Sequence, residues 1–212
     1  MVTVSGRTVL KPSHPVDHGT VIAAATDPWV SRAARKLTGA LDASDTAVGE
    51  RVLDAGASTG GFTQVCLARG ARTVFAVDVG HGQLVPELRN DPRVVVREGL
   101  NLRDLTIEDL DGQLVDTVVG DVSFISLNLI LAPVLSVLHP RGTALLLVKP
   151  QFEVGKHQLG AGGVVRDPGL REAAVDAVLT TAAALGWVCT WQGESTLPGS
   201  AGNVEFFVRL SR

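Results

Sequence analysis

Four charged side chains stand where a sheet-based fold would gather them. Lys36 lies in SRAARKL, a stretch with helical spacing. Asp121 ends the apolar segment that runs into GDVSFISL, Lys149 ends the run in LLLVKPQFE, and Glu205 opens the closing strand in GNVEFF. A lysine at the end of a run as apolar as ALLLV is hard to read as a surface charge. Burial without a partner would be costly, so a partner is expected. A lysine desolvated near another cation has a lowered pKa and can take a proton from an alcohol. Lys36 could supply that second cation, while Asp121 and Glu205 could orient the lysines and the hydroxyl. Most of the acceleration would then come from positioning. Taken singly, Lys36 also fits a solvated helix lysine and Glu205 a strand-end charge, and Asp121 fits either reading. The four gain force as a set.

The segment Val52 to Phe62, VLDAGASTGGF, follows a strand and opens a helix. Its glycines let the backbone turn sharply and approach a ligand without Cβ clashes. The spacing is not G-x-G-x-x-G, which a dinucleotide pyrophosphate would want. An acid, Asp54, sits just before the turn, and a carboxylate there suits a cationic amino-acid group better than a pyrophosphate. S-adenosylmethionine carries both an ammonium and a sulfonium, so it is the expected cofactor. The loop residues Asp54, Gly56, Ala57, Ser58, Gly60, Gly61 and Phe62 are candidate binding residues. Asp78, 24 residues after Asp54 at the end of the second strand, suits ribose hydroxyls. Asn101, after the third strand, could read an adenine edge, and Asp121 reaches the same cofactor edge. The plainer alternative makes Gly56, Gly60 and Gly61 turn glycines only, and Asp78 a solvated strand end. Methyl transfer from a sulfonium to a ribose hydroxyl needs in-line approach and loss of a proton, which is the chemistry the lysines could serve.

The elements that must position these groups alternate. SRAARKLTGALDA puts Ala34, Leu37, Ala40 and Leu41 on one stripe, with Ser31 as N-cap. RVLDAG, TVFAVDVG, RVVVRE, LVDTVVGDVSF and TALLLVKP carry strands. GFTQVCLARG, GQLVPELRN, SLNLILAPVLSVL and DPGLREAAVDAVLTTAAALG are helices, the last ending at Gly186 and the second tolerating Pro86 only near its start. WVCTWQGEST and VEFFVRL are two more strands joined by a hairpin connection. This alternation predicts an α/β fold: a doubly wound, mostly parallel seven-stranded, Rossmann-like sheet, its last strand antiparallel. Ahead of it, VTVSGRTVL reads as two short strands joined at Ser5-Gly6, and Lys11 to Asp27 as a linker or extended arm.

Composition narrows the classes. The 212 residues are 45% hydrophobic and 19% charged, enough to bury a sizeable core. A net charge of −3 gives no basic footprint of nucleic-acid binding, although a local patch remains compatible with it. Cys66 and Cys189 lack metal or redox spacing and read as core thiols in a reducing compartment. The five histidines are scattered, so no metal is expected. No apolar run approaches the roughly 18 residues of a membrane span, and the first residues lack a signal-peptide block. A cytoplasmic protein without membrane contact is the expectation. Spacing disfavours a nicotinamide oxidoreductase.

From Trp29 to the C-terminus the sequence resembles the TlyA, or hemolysin A, family of ribosomal RNA 2′-O-methyltransferases, with an FtsJ-like catalytic domain. SRAARKL, LDAGASTGGFT, DVSFISL, VKPQFEVGK, GGVVRDP and GNVEFF match in order. The resemblance implies that the family's Lys-Asp-Lys-Glu tetrad falls on Lys36, Asp121, Lys149 and Glu205. It implies the cofactor loop at Asp54 to Phe62 and the ribose acid at Asp78, with cytidine ribose in ribosomal RNA or ribosomal subunits as substrate. Family members resemble one another in also carrying a small N-terminal RNA-binding domain. Here VTVSGRTVLKPSHPV resembles only its closing part, so residues 1–28 are expected to be its remnant plus a linker, and 29–212 the methyltransferase domain. Amino-methylating enzymes of this fold resemble one another in an Asn/Asp-Pro-Pro-aromatic motif. Asp121-Val122-Ser123-Phe124 lacks its prolines, which argues against base methylation. Two other classes stay in view: a non-catalytic RNA-binding module that keeps the cofactor pocket, and a membrane-damaging protein, which no amphipathic or spanning segment supports. The glycine-rich segment 151–163 fits either a mobile loop over the site or an ordinary crossover.

Overall fold

The computed structural model describes residues 2–11, 13–24 and 27–212. The front of the chain forms its own small sheet. Strands β1 (Val2–Val4) and β2 (Arg7–Val9) pair antiparallel around Ser5 and Gly6, both with positive φ. A third strand, β3 (Ile22–Ala24), pairs on the other side of β1, giving the order β2-β1-β3. The sequence expectation of an unpaired linker over 11–27 therefore misses β3; part of that stretch lies outside the described residues. All three β3 residues are exposed, so no inside-outside alternation marked them as a strand.

The rest of the chain alternates helices and strands. In order come α1 (Ala33–Ala43), β4 (Arg51–Ala55), α2 (Gly61–Ala68), β5 (Thr73–Asp78), α3 (Pro86–Arg89) and β6 (Val94–Glu98). Then follow β7 (Val115–Gly120), α4 (Leu131–Ser136), β8 (Leu138–Val148), α5 (Pro150–Glu153), α6 (Pro168–Ala184), β9 (Val188–Glu194) and β10 (Phe206–Ser211). The sheet order is β6-β5-β4-β7-β8-β10-β9, parallel from β6 to β8, with β10 antiparallel to both neighbours. The winding reverses between β4 and β7, and sheets of this kind bind ligands at that switch, beyond the carboxyl ends of the strands.

Both faces are covered, which is why the central strands are apolar at nearly every position. Neighbouring residues of one strand go to opposite cores. Leu53, Phe75, Val118 and Leu146 pack with Leu131 and Val134 of α4 and Val175 and Val178 of α6. Val52, Val74, Val119 and Leu145 pack with Leu37 and Leu41 of α1 and Phe62 and Val65 of α2. Among the described residues no helix is long and apolar enough to cross a membrane.

Three elements depart from the sequence reading, each for a local reason. α1 begins at Ala33 after Arg32, and Ser31 makes no capping bond. SLNLILAPVLSVL is not one helix. A 3-10 turn over Leu127–Leu129 precedes α4, which starts so that Pro133 falls in the first turn, where its missing N–H costs nothing. β8 starts five residues earlier than TALLLVKP suggests. Leu138 pairs with Val115, and the register then shifts before Thr143 meets Thr117, so His139–Gly142 is an irregular insertion around Pro140.

Candidate active site

The glycine loop is shaped by close contacts rather than by freedom alone. The amides of Gly56 and Ala57 both donate to the Val77 carbonyl, at 2.9 and 3.0 Å, tying the loop to β5. Gly56 has φ +87°, and a Cβ there would come within 3.1 Å of the Asp121 carbonyl oxygen. Gly60 caps α2 at φ +99°, and a Cβ on it would meet Leu88 Cδ1 at 2.3 Å. The Asp121 amide donates to the Ala55 carbonyl at 3.1 Å, so the loop after β4 and the acid after β7 are physically joined.

That junction opens into a cleft of about 230 Å³. Gly56, Ala57, Ser58, Gly61 and Phe62 line it together with Asp121, Ser123 and Lys149 and with Ser31 and Arg32 at the start of α1. Phe62 is nearly all buried, its ring stacked 6.1 Å from Phe207. Of the other candidates, Lys36, Asp54, Gly60, Asp78, Asn101 and Glu205 lie outside this lining. Asp78 organises the loop: its carboxylate accepts from Ser58 N at 2.8 Å and Gly80 N at 2.7 Å. A carboxylate has about four acceptor sites, so capacity for hydroxyls remains. Asn101 Oδ1 caps the turn Leu102–Asp104 by accepting from Arg103 N at 3.1 Å and from Arg103 Nε at 3.3 Å. A depression of similar size, about 250 Å³, lies between α6 and the β9–β10 edge beside Glu172, Asp176 and Glu194, and holds none of the candidate residues.

The four charged residues form two ion pairs. Lys149 Nζ lies 2.6 Å from Asp121 Oδ1, and Lys36 Nζ donates to Glu205 Oε2 at 2.6 Å. The Asp121 contact is ionic by distance, without hydrogen-bond alignment at Oδ1. Lys36, Lys149 and Glu205 are all buried. Each lysine thus stands beside an acid, Lys36 with Glu205 and Lys149 with Asp121. Removing one member of such a pair strands the other, typically at a cost of about 3–5 kcal/mol. Among the described residues no group of three or more His, Cys, Asp or Glu could hold a metal.

Asp54 is fully buried beneath the loop. Thr63 Oγ1 donates to its Oδ2 at 2.6 Å, while Oδ1 has no partner. Burial pushes its pKa from 3.8 up to about 7 against the pull of Thr63, with the Asp121 and Asp78 charges adding to the rise. An orphaned, half-committed carboxyl next to a glycine cradle fits a ligand that brings a positive charge.

Sequence reasoning missed three contributors. Ser123 Oγ accepts from Lys149 Nζ at 2.7 Å. Gln151 Nε2 donates to Glu205 Oε1 at 3.0 Å, so the residue after Lys149-Pro150 buttresses the other pair. Phe124 is the third: it has φ +66°, is 91% exposed, and its ring lies 5.3 Å from that of Phe152. A non-glycine residue held there costs on the order of 1 kcal/mol or more, and such strain collects at working sites. The sequence signal was an aromatic three residues after the candidate Asp121 in DVSFIS.

Residues 29–212 match the family described as FtsJ-like methyltransferase. The chain is 52% identical, over 99% of its length and 79% of the relative's, to the 16S/23S rRNA (cytidine-2′-O)-methyltransferase TlyA of Mycobacterium tuberculosis. It is 36% identical, over 99% of its length and 88% of the relative's, to hemolysin A of Brachyspira hyodysenteriae. A crystal structure from Lactococcus lactis, of a protein provisionally called a hemolysin, superposes with a TM-score of 0.83 at 44% identity. It covers 86% of this chain and 88% of that one.

Proposed function

The chain belongs to the FtsJ-like methyltransferase family, and from that premise we propose that it moves a methyl group from S-adenosylmethionine to the 2′-hydroxyl of a cytidine ribose in ribosomal RNA. One observation supports this most: the glycine loop and the Lys149–Asp121 pair line the same cleft. The M. tuberculosis relative's name supplies the substrate class.

The cofactor would be held by the backbone of Gly56 to Gly61, by Asp78 toward its ribose, by Asn101 toward its adenine and by Asp54 toward its cationic amino-acid end. When bound, it supplies a methyl group made electrophilic by the sulfonium. Lys149 Nζ is the group that receives the proton of the attacking hydroxyl. Asp121 and Ser123 aim that nitrogen. The Lys36–Glu205 pair, fixed by Gln151, supports the hydroxyl from the side. The exposed ring of Phe124 stands beside this point, and stacking on aromatic side chains is how proteins hold unstacked RNA bases. Residues 29–212 carry the chemistry, and 1–28 serve as the remnant of an RNA-binding unit and its linker.

The test is tritiated methyl transfer from S-adenosylmethionine to ribosomal subunits and to free ribosomal RNA, with nucleoside digestion. Label on a cytidine 2′-oxygen is expected. Cofactor binding by calorimetry without any label would leave the non-catalytic module as the better reading.

A further inference from the structure

Phe124 and Ser123 lie on an exposed loop, where the ring meets Phe152 and the hydroxyl meets Lys149. Ser123 is exposed and Phe124 is 91% exposed. Yet the loop must hold a left-handed residue at Phe124 and bring Ser123 Oγ to 2.7 Å from Lys149. The anchor lies just beyond, on one carboxylate. Glu153, the last residue of α5, accepts from Ser126 Oγ at 2.5 Å, Leu127 N at 2.8 Å and Asn128 Nδ2 at 3.1 Å. Asn128 Oδ1 in turn accepts from Thr181 Oγ1 of α6 at 2.5 Å. Three consecutive residues are thus gripped by a side chain that stands four positions after Lys149. The grip ties the segment after β7 to the segment after β8, the two segments whose contacts (Lys149–Asp121, Lys149–Ser123 and Phe124–Phe152) make up this side of the cleft.

We propose that Glu153 is a positioning residue for methyl transfer, whose grip on Ser126–Asn128 sets Ser123 against Lys149 and keeps the Phe124 ring open to a substrate base. This rests on the RNA methyltransferase reading above. Glu153 touches neither the cofactor loop nor the four charged residues directly, so its effect belongs to the geometry of the acceptor side. Half-burial raises its carboxyl pKa, with the three donors working against the rise.

The decisive variant is Glu153→Gln, which keeps size and one acceptor oxygen but turns an N–H₂ toward groups that now donate to it. Three readings are taken on the full chain: kcat and KM with ribosomal subunits, the cofactor dissociation constant, and amide hydrogen exchange by mass spectrometry. Expected are faster exchange confined to the peptide spanning 121–129, kcat lower by about tenfold or more, and a cofactor constant within about twofold of wild type. Glu153→Asp, which retains the charge on a shorter arm, recovers part of kcat. Unchanged kcat in a folded Gln variant overturns the proposal, since a purely structural cap would lower only the melting temperature. Unchanged exchange over 121–129 overturns it too, because the grip would then not set the loop. A wild-type protein that transfers no methyl group to ribosomal RNA overturns the reading beneath it; the exchange measurement separates that failure from a failure of the grip itself.

Discussion

If Asp54 meets the cationic end of the cofactor, binding must be coupled to a proton. In the free protein burial holds its carboxyl pKa at about 7. A positive charge brought to the unpartnered Oδ1 favours the carboxylate, so only the ionised form binds well. With a pKa near 7 the ionised fraction is about 0.09 at pH 6 and about 0.9 at pH 8, so the apparent dissociation constant should fall about tenfold between them and then level off. Calorimetry at several pH values, in buffers of different ionisation enthalpy, reads both the affinity and the released proton. Asp54→Asn can still accept from Thr63, and should bind the cofactor more weakly at pH 8 with no pH trend of its own. The same carboxyl affects the free protein. Its folded pKa lies above the unfolded 3.8, so the folded state holds the extra proton between about pH 4 and 7, and stability should fall as pH rises through that window. A flat affinity from pH 6 to 8 without proton release would refute the contact. A trend that persists in Asp54→Asn would assign the proton to another group.

Three further outcomes follow from the site. Lys149→Ala should lower transfer by about 10²–10⁴-fold while leaving the cofactor constant nearly intact, and comparable turnover in single-turnover assays would rule out the base role. Asp78→Ala should mainly weaken cofactor binding, since it removes both the ribose acceptor and the bonds to Ser58 and Gly80; calorimetry showing an unchanged constant would contradict the ribose role. Phe124→Ala should weaken RNA affinity by about 1–3 kcal/mol, as loss of one base-stacking ring does, and leave the melting temperature almost unmoved because the ring is 91% exposed; filter binding and thermal melts check both halves.

The sheet was legible because its strands are buried on both faces and read as unbroken apolar runs. The β10 direction was legible because GESTLPGSAGN is too short and too polar for a crossover helix, so Glu205 had to return to the β8 edge. What stayed hidden was set by single residues acting through tertiary contacts. Pro133 decided where α4 could start, the insertion around Pro140 lengthened β8, and β3 exists only because β1 offered it an edge.

The site divides along the same line. Lys149 announces itself because a charge at the end of an apolar strand demands a partner, whereas Lys36, Asp121 and Glu205 gained force only as a set with it; the partner found is in each case another member of that set. Their pairing was not legible, for two lysines and two acids allow two matchings. The strand order decides between them: β7 and β8 are neighbours, so the residues that end them meet, and Glu205, arriving on β10, is left for α1. Ser123, Phe124 and Glu153 carry no such demand. A serine, an exposed ring and a half-buried acid are ordinary in sequence, and they become informative only when one carboxylate is seen gripping three consecutive residues beside a strained aromatic. Lys149 is therefore conspicuous by the cost of burying it and its three charged companions by their fit as a set, whereas the groups that aim the acceptor are conspicuous only by geometry.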